Sequence, residues 1–107
     1  MTGKLPERRS YTSSDVYQNY LYVFGGQDLK EGTYNSVWRI NLKVILDGGN
    51  TSWDFVKTSG QCTPKPLSHH NGFIANECFY NYGGIHSGDS NSNVYILNLK
   101  TNEWTIL

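Results

Sequence analysis

Large side chains fall on consecutive positions in two stretches of this chain, where a half-solvated strand would alternate them with polar ones. One is Tyr20-Leu21-Tyr22-Val23-Phe24, and the other opens with Val94-Tyr95-Ile96-Leu97. Short runs of aromatic and β-branched residues favour strands. A strand that is apolar on both faces has to be covered on both. Gly25-Gly26 closes the first run and lets the chain leave the sheet through φ values that other residues avoid. The pattern then comes back. Cys78-Phe79-Tyr80-Asn81-Tyr82 ends in Gly83-Gly84, so the glycine pair recurs at an offset of 58.

The repeat extends in both directions. Pro6 to Gly25 and Pro64 to Gly83 each span 19 positions, and Gln18-Asn19 and Asn76-Glu77 stand as tight turns before the aromatic strands. Polar loops follow each glycine pair, at residues 27–35 and 85–92. Then come Val37-Trp38-Arg39-Ile40-Asn41-Leu42-Lys43 and Val94-Tyr95-Ile96-Leu97-Asn98-Leu99-Lys100, with Val, Asn, Leu and Lys shared at an offset of 57. Beyond this the copies diverge. The first continues through Val44-Ile45-Leu46 to Asp47-Gly48-Gly49-Asn50, which is hairpin chemistry, before Trp53. The second turns at Thr101-Asn102-Glu103 before Trp104. Each copy reads as four short strands in meander order, and a period near 50 with four strands per unit is the signature of propeller blades. No helix is expected: the best stretch, residues 37–46, is too β-branched and ends at Asp-Gly.

Composition adds limits. The chain has 107 residues, 14% aromatic, with 11 Gly and only 3 Pro, which suits an ordered β protein. Nine basic and nine acidic residues balance, so no attraction to phosphate backbones or anionic membranes is built in. No run approaches the 18 or so apolar residues of a membrane span. Residues 1–6 lack the apolar run of a secretory leader, and Cys62 and Cys78 sit in unlike contexts. Reduced thiols and a cytoplasmic location are the expectation. Asn50-Thr51-Ser52 is a formal glycosylation sequon that carries little weight without a secretory signal.

Over residues 6–107 the chain resembles the kelch repeat family. The matching residues are Pro6, Arg9, Ser10, Tyr22, Gly25, Gly26, Asn41 and Trp53, and then Pro64, Ser68, His70, Tyr80, Gly83, Gly84, Asn98 and Trp104. Thr12 and Leu67 depart from the family's usual His and Arg. The resemblance implies an all-β fold of two four-stranded antiparallel blades, residues 5–60 and 61–107, belonging to an incomplete β-propeller. It also implies a role as a protein-binding platform.

The candidate chemistry is sparse. His69-His70 are adjacent, and adjacent strand residues point to opposite faces, so they do not chelate one ion. His86 with Asp89 offers two metal ligands where a site needs three or four. Copper oxidases on related propellers need a Tyr/His set drawn from several blades. No nucleophile elbow, Walker loop or dinucleotide fingerprint occurs, and the glycine pairs are followed by no helix to hold a phosphate. Catalysis, metal and cofactor are therefore not expected. The loops between second and third strands are the better site, because charged and aromatic residues on a rigid scaffold suit recognition. They offer Asp28, Lys30, Glu31 and Tyr34 in the first repeat, and His86 and Asp89 in the second.

The reading that follows is a non-enzymatic interaction module for a protein partner, ahead of a purely structural component and of a propeller-type enzyme. Trp53 and Trp104 are expected to be equivalently buried at the start of each fourth strand. Two blades are fewer than a closed ring of about 4–8. The chain is accordingly expected to need further blades, or self-association, to complete a propeller.

Overall fold

A computed structural model describes residues 9–28 and 32–107. The first repeat forms β1 (Ser13–Tyr17), β2 (Tyr20–Phe24), a small hairpin of β3 (Gln27–Asp28) and β4 (Gly32–Thr33), β5 (Val37–Asn41), helix α1 (Leu42–Leu46) and β6 (Asp54–Val56). After β7 (Ser59–Gly60) the second repeat forms β8 (Asn71–Ala75), β9 (Cys78–Tyr82), the hairpin β10 (Ile85–His86) and β11 (Asp89–Ser90), β12 (Val94–Asn98) and β13 (Glu103–Ile106). The first sheet runs β1-β2-β5-β6, antiparallel throughout. The second runs β8-β9-β12-β13 in the same meander, with β7 added in parallel on β13. Neither sheet closes on itself. This is the all-β pair of blades of an incomplete propeller.

Local chemistry sets the register. Gln18 and Asn19, and likewise Asn76 and Glu77, all take positive φ, giving the two-residue primed turn whose twist suits a hairpin. Tyr17 therefore faces Tyr20 and Ala75 faces Cys78, and each central strand inherits its alignment from that turn. Period-2 alternation then places Tyr22, Phe24, Val37 and Val56 on the face of the first sheet that meets the second. Phe79, Tyr95, Leu97 and Trp104 answer from the second sheet, and together with Leu67 and Leu99 they form the core cluster. Phe24 lies 5.1 Å from Trp104 across the seam.

Two expectations change. Residues 42–46 are helical, although no helix was expected. The Asn41 side chain accepts from the Val44 N–H at 3.1 Å and caps a single short helix, while Leu42 and Lys43 carry helix propensity. Asn98 does the same work at the equivalent place, accepting from the Lys100 and Thr101 N–H groups, but its shorter connection leaves no room to continue. The two tryptophans also differ. Trp104 is 1% exposed, whereas Trp53 is partly exposed and precedes β6. Continuing the β5–β6 register by one step sets Trp53 against Ile40, the counterpart of Leu97 opposite Trp104. The register is thus shared, but Trp104 faces the other blade and Trp53 faces away from it.

Candidate binding surface

The second-to-third-strand loops are fastened alike in both repeats. Ser10 and Gln27 exchange two backbone hydrogen bonds of 2.8 Å, and Ser68 and Ile85 do so at 3.2 and 2.9 Å. Further along, Tyr34 N–H donates to the Gly26 carbonyl and Asn91 N–H to that of Gly84, each at 2.9 Å. Each loop is thereby pinned at its start to the entry of the first strand and at its end to its own glycine pair. Leu67 N–H donates to the Tyr34 carbonyl, so the loop of one blade also touches the entry of the next.

Four of the sequence-derived site residues, Asp28, Tyr34, His86 and Asp89, fall on this framework. Asp28 ends β3 and is half-buried. Tyr34 is half-buried with the Arg9 guanidinium 4.3 Å above its ring. Arg9 also donates to the Gly25 carbonyl and to Ser36 Oγ. His86 donates from Nδ1 to the Pro66 carbonyl at 3.0 Å, which fixes the ring, and faces Asp89 across the β10–β11 pair. Asp89 is exposed, and with Lys65 and His86 it lines a shallow recess. Lys30 and Glu31 lie outside the described residues.

His69 and His70 separate, one exposed and one buried, but they precede β8 rather than lying on a strand, and His69 is in left-handed backbone, so strand alternation is not the cause. His70 is 5% exposed and sits in the seam between sheets. Its Nε2 lies 3.0 Å from Ser13 Oγ and 3.1 Å from the Phe24 carbonyl, and Ser13 in turn bonds the Asn81 amide oxygen. Burial lowers the pKa of His70 below the ordinary imidazole value, partly offset by the Phe24 carbonyl. Gly25, at φ +72°, makes room for this ring: a Cβ there would meet His70 Cε1 at 2.7 Å. Ser13 and His70 have the types of a nucleophile and base, but both are buried between blades. They act as a cross-link of the seam. Among the described residues no group of three or more His, Cys, Asp or Glu is placed to hold a metal. Cys62 and Cys78 are unpaired thiols.

Sequence reasoning missed one feature of this end. Tyr11 and His69 occupy the same position in the two repeats, immediately after the bridging serines. Their rings stack at 3.8 Å with 22° between planes, and His69 N–H donates to the Tyr11 carbonyl at 3.2 Å. Both are exposed, Tyr11 by 56%. Both also adopt left-handed backbone, φ +59° and +58°. Such conformations cost about 1–3 kcal/mol each for residues other than glycine, while a ring pair returns about 0.5–1.5 kcal/mol. Stability alone does not account for two aromatic rings here. The offset of 58 was the available signal, since it aligns Tyr11 with His69.

A family model for the KLHDC2/KLHL20/DRC7 Kelch-repeats domain matches residues 1–107. Among curated relatives, Acyl-CoA-binding domain-containing protein 4 of Arabidopsis thaliana is 31% identical over 104 residues, covering 96% of this chain and 14% of that protein. Leucine-zipper-like transcriptional regulator 1 of Homo sapiens is 27% identical over 103 residues, covering 96% of this chain and 12% of the relative. The chain therefore spans about one seventh of the length of the first and one eighth of the second. Among the described residues no helix is long and apolar enough to cross a membrane. The doubled glycine, the four-strand meander and the family match agree, and the chain belongs to the kelch-repeat family.

Proposed function

We propose that this chain is a non-enzymatic protein-interaction module whose second-to-third-strand loops form one partner-binding face. The observation that carries this reading is the identical fastening of the two loops on adjacent blades. Ser10 to Gln27 and Ser68 to Ile85 anchor both at the same end of the molecule. Side chains set on such a frame keep their positions without a further ordering cost on binding, which favours recognition. Asp28, Tyr34, His86 and Asp89 are the contact residues, with Lys30 and Glu31 on the same loop. Unpaired thiols and balanced charge support a cytoplasmic setting and a protein partner over nucleic acid or membrane.

The test is partner capture from cell extract by the wild type and by a variant with Asp28, Lys30, Glu31, Tyr34, His86 and Asp89 changed to Ala. Loss of specific capture with the melting transition retained is the expected result. Unchanged capture sinks the binding-face reading and leaves the loops as solvated connections in a purely structural component.

A further inference from the structure

We propose that the Tyr11–His69 stack is the anchor of this face, and that its guest is the guanidinium of an arginine side chain on a protein partner. The proposal deepens the interaction-module reading and rests on it. Tyr11 and His69 follow Ser10 and Ser68, the residues that pin the two candidate loops, so the stack stands at the root of both. Each ring is held on a left-handed backbone that glycine would adopt without strain. Tyr11 therefore runs against local preference, His69 less so because histidine is enriched in this region, and the exposure of both means that the core does not need them.

The geometry points to a flat cation. Two rings already stacked at 3.8 Å present a rigid π surface with little left to lose on binding. The chain itself shows which guest its rings accept: Arg9 lies 4.3 Å over Tyr34 at this same end, and Arg39 lies 4.0 Å over Tyr20 elsewhere. His69 Nδ1 faces Ser68 Oγ at 3.2 Å, and Nε2 has no partner among the described residues. A lysine ammonium is compact and cannot lie flat on the stack, so arginine is preferred over lysine.

Random seven-residue peptides displayed on phage and selected on the whole chain supply the probe. The test variant is Tyr11→Gly with His69→Gly, which removes both rings and relieves both strained backbones, so the fold is retained. Enriched peptides should contain arginine. Changing that arginine to alanine, or using the double glycine variant, should weaken binding about tenfold or more. Enriched peptides without arginine overturn the proposal, as does equal binding by the double glycine variant. If Tyr34→Ala, His86→Ala and Asp89→Ala abolish binding while the glycine pair does not, the stack is refuted and the binding face stands. No enrichment, or binding indifferent to both variants, overturns both readings.

Discussion

At the scale of single residues the seam between blades depends on one buried imidazole and the glycine beneath it. Burial shifts His70 toward its neutral form in the folded chain, and among the described residues the titratable neighbour that bears on it, His69, adds repulsion when charged. Ser13, Phe24 and Asn81 face it with hydroxyl, carbonyl and amide groups, and none is a carboxylate. The unfolded chain protonates this side chain near the ordinary value of about 6.5. Below that pH the unfolded state holds more protons, so the contribution of His70 is complete above about pH 6.5 and declines as the pH falls. Denaturant titrations at pH 7.5 and pH 5.5 should show this loss, and His70→Gln should flatten the slope between them. An unaltered slope in the variant would remove His70 as the cause. The glycines give a paired test. Gly25→Ala and Gly83→Ala both meet positive φ, +72° and +73°, but only at Gly25 does a new Cβ strike His70 and the Leu67 carbonyl. Gly25→Ala should therefore be clearly the more destabilising, by thermal melting. Equal costs would mean that backbone strain, and not the His70 seat, sets the price.

At the scale of elements the sequence foretold pairing better than burial. The glycine pairs, the turn dipeptides and the shared Val, Asn, Leu and Lys defined two meanders in the correct order, because hairpin register follows from turn chemistry and period 2. The site was legible only in part. The loops could be located from the repeat, yet nothing in single positions said that Tyr11 and His69 would meet, since that contact forms between blades. Helix α1 was missed because propensity was weighed over the β-branched Val44 and Ile45, while the cap at Asn41 and the end of pairing decided the outcome. No α1 residue is buried, and Leu46 is 84% exposed. Replacing residues 44–52 with the Thr-Asn-Glu of the second repeat should hence leave stability within about 1 kcal/mol, a shorter loop being slightly cheaper to close. Trp104→Ala, by contrast, should cost about 3–5 kcal/mol. Trp53→Ala should cost clearly less, because its face is not covered by the other blade. Denaturant midpoints check all three, and a Trp53→Ala as severe as Trp104→Ala would show that its face is covered after all.

For the whole molecule the decisive fact is that the two sheets use the same pair of faces and only one of each is matched. The first sheet offers Tyr22, Phe24 and Val37 to the second; their counterparts one repeat on are Tyr80, Tyr82 and Val94, on the far side of the second sheet. That side is open. Phe73 is 44% and Tyr82 42% exposed, and Phe73 stacks on Tyr80 at 5.1 Å with nothing beyond them in the described structure. The seat that Gly25 provides for His70 has its counterpart at Gly83, where a Cβ would meet nothing within 4 Å. An aromatic face with a ready slot is an unmatched interface of the kind soluble monomers seldom expose. The expected occupant is a second copy of this chain, seated in the way the second blade docks on the first. For the 107-residue chain alone, the expected outcome is association that rises with concentration in light scattering. Changing Phe73 and Tyr82 to Ser should reduce that association without lowering the melting temperature, because these side chains are spent on the open face and not on the core. A cooperatively melting monomer of 12.2 kDa at every concentration would refute the docking face. Association unaffected by the two substitutions would move the contact elsewhere, to the Val16 and Phe55 side of the first sheet, where both residues are exposed.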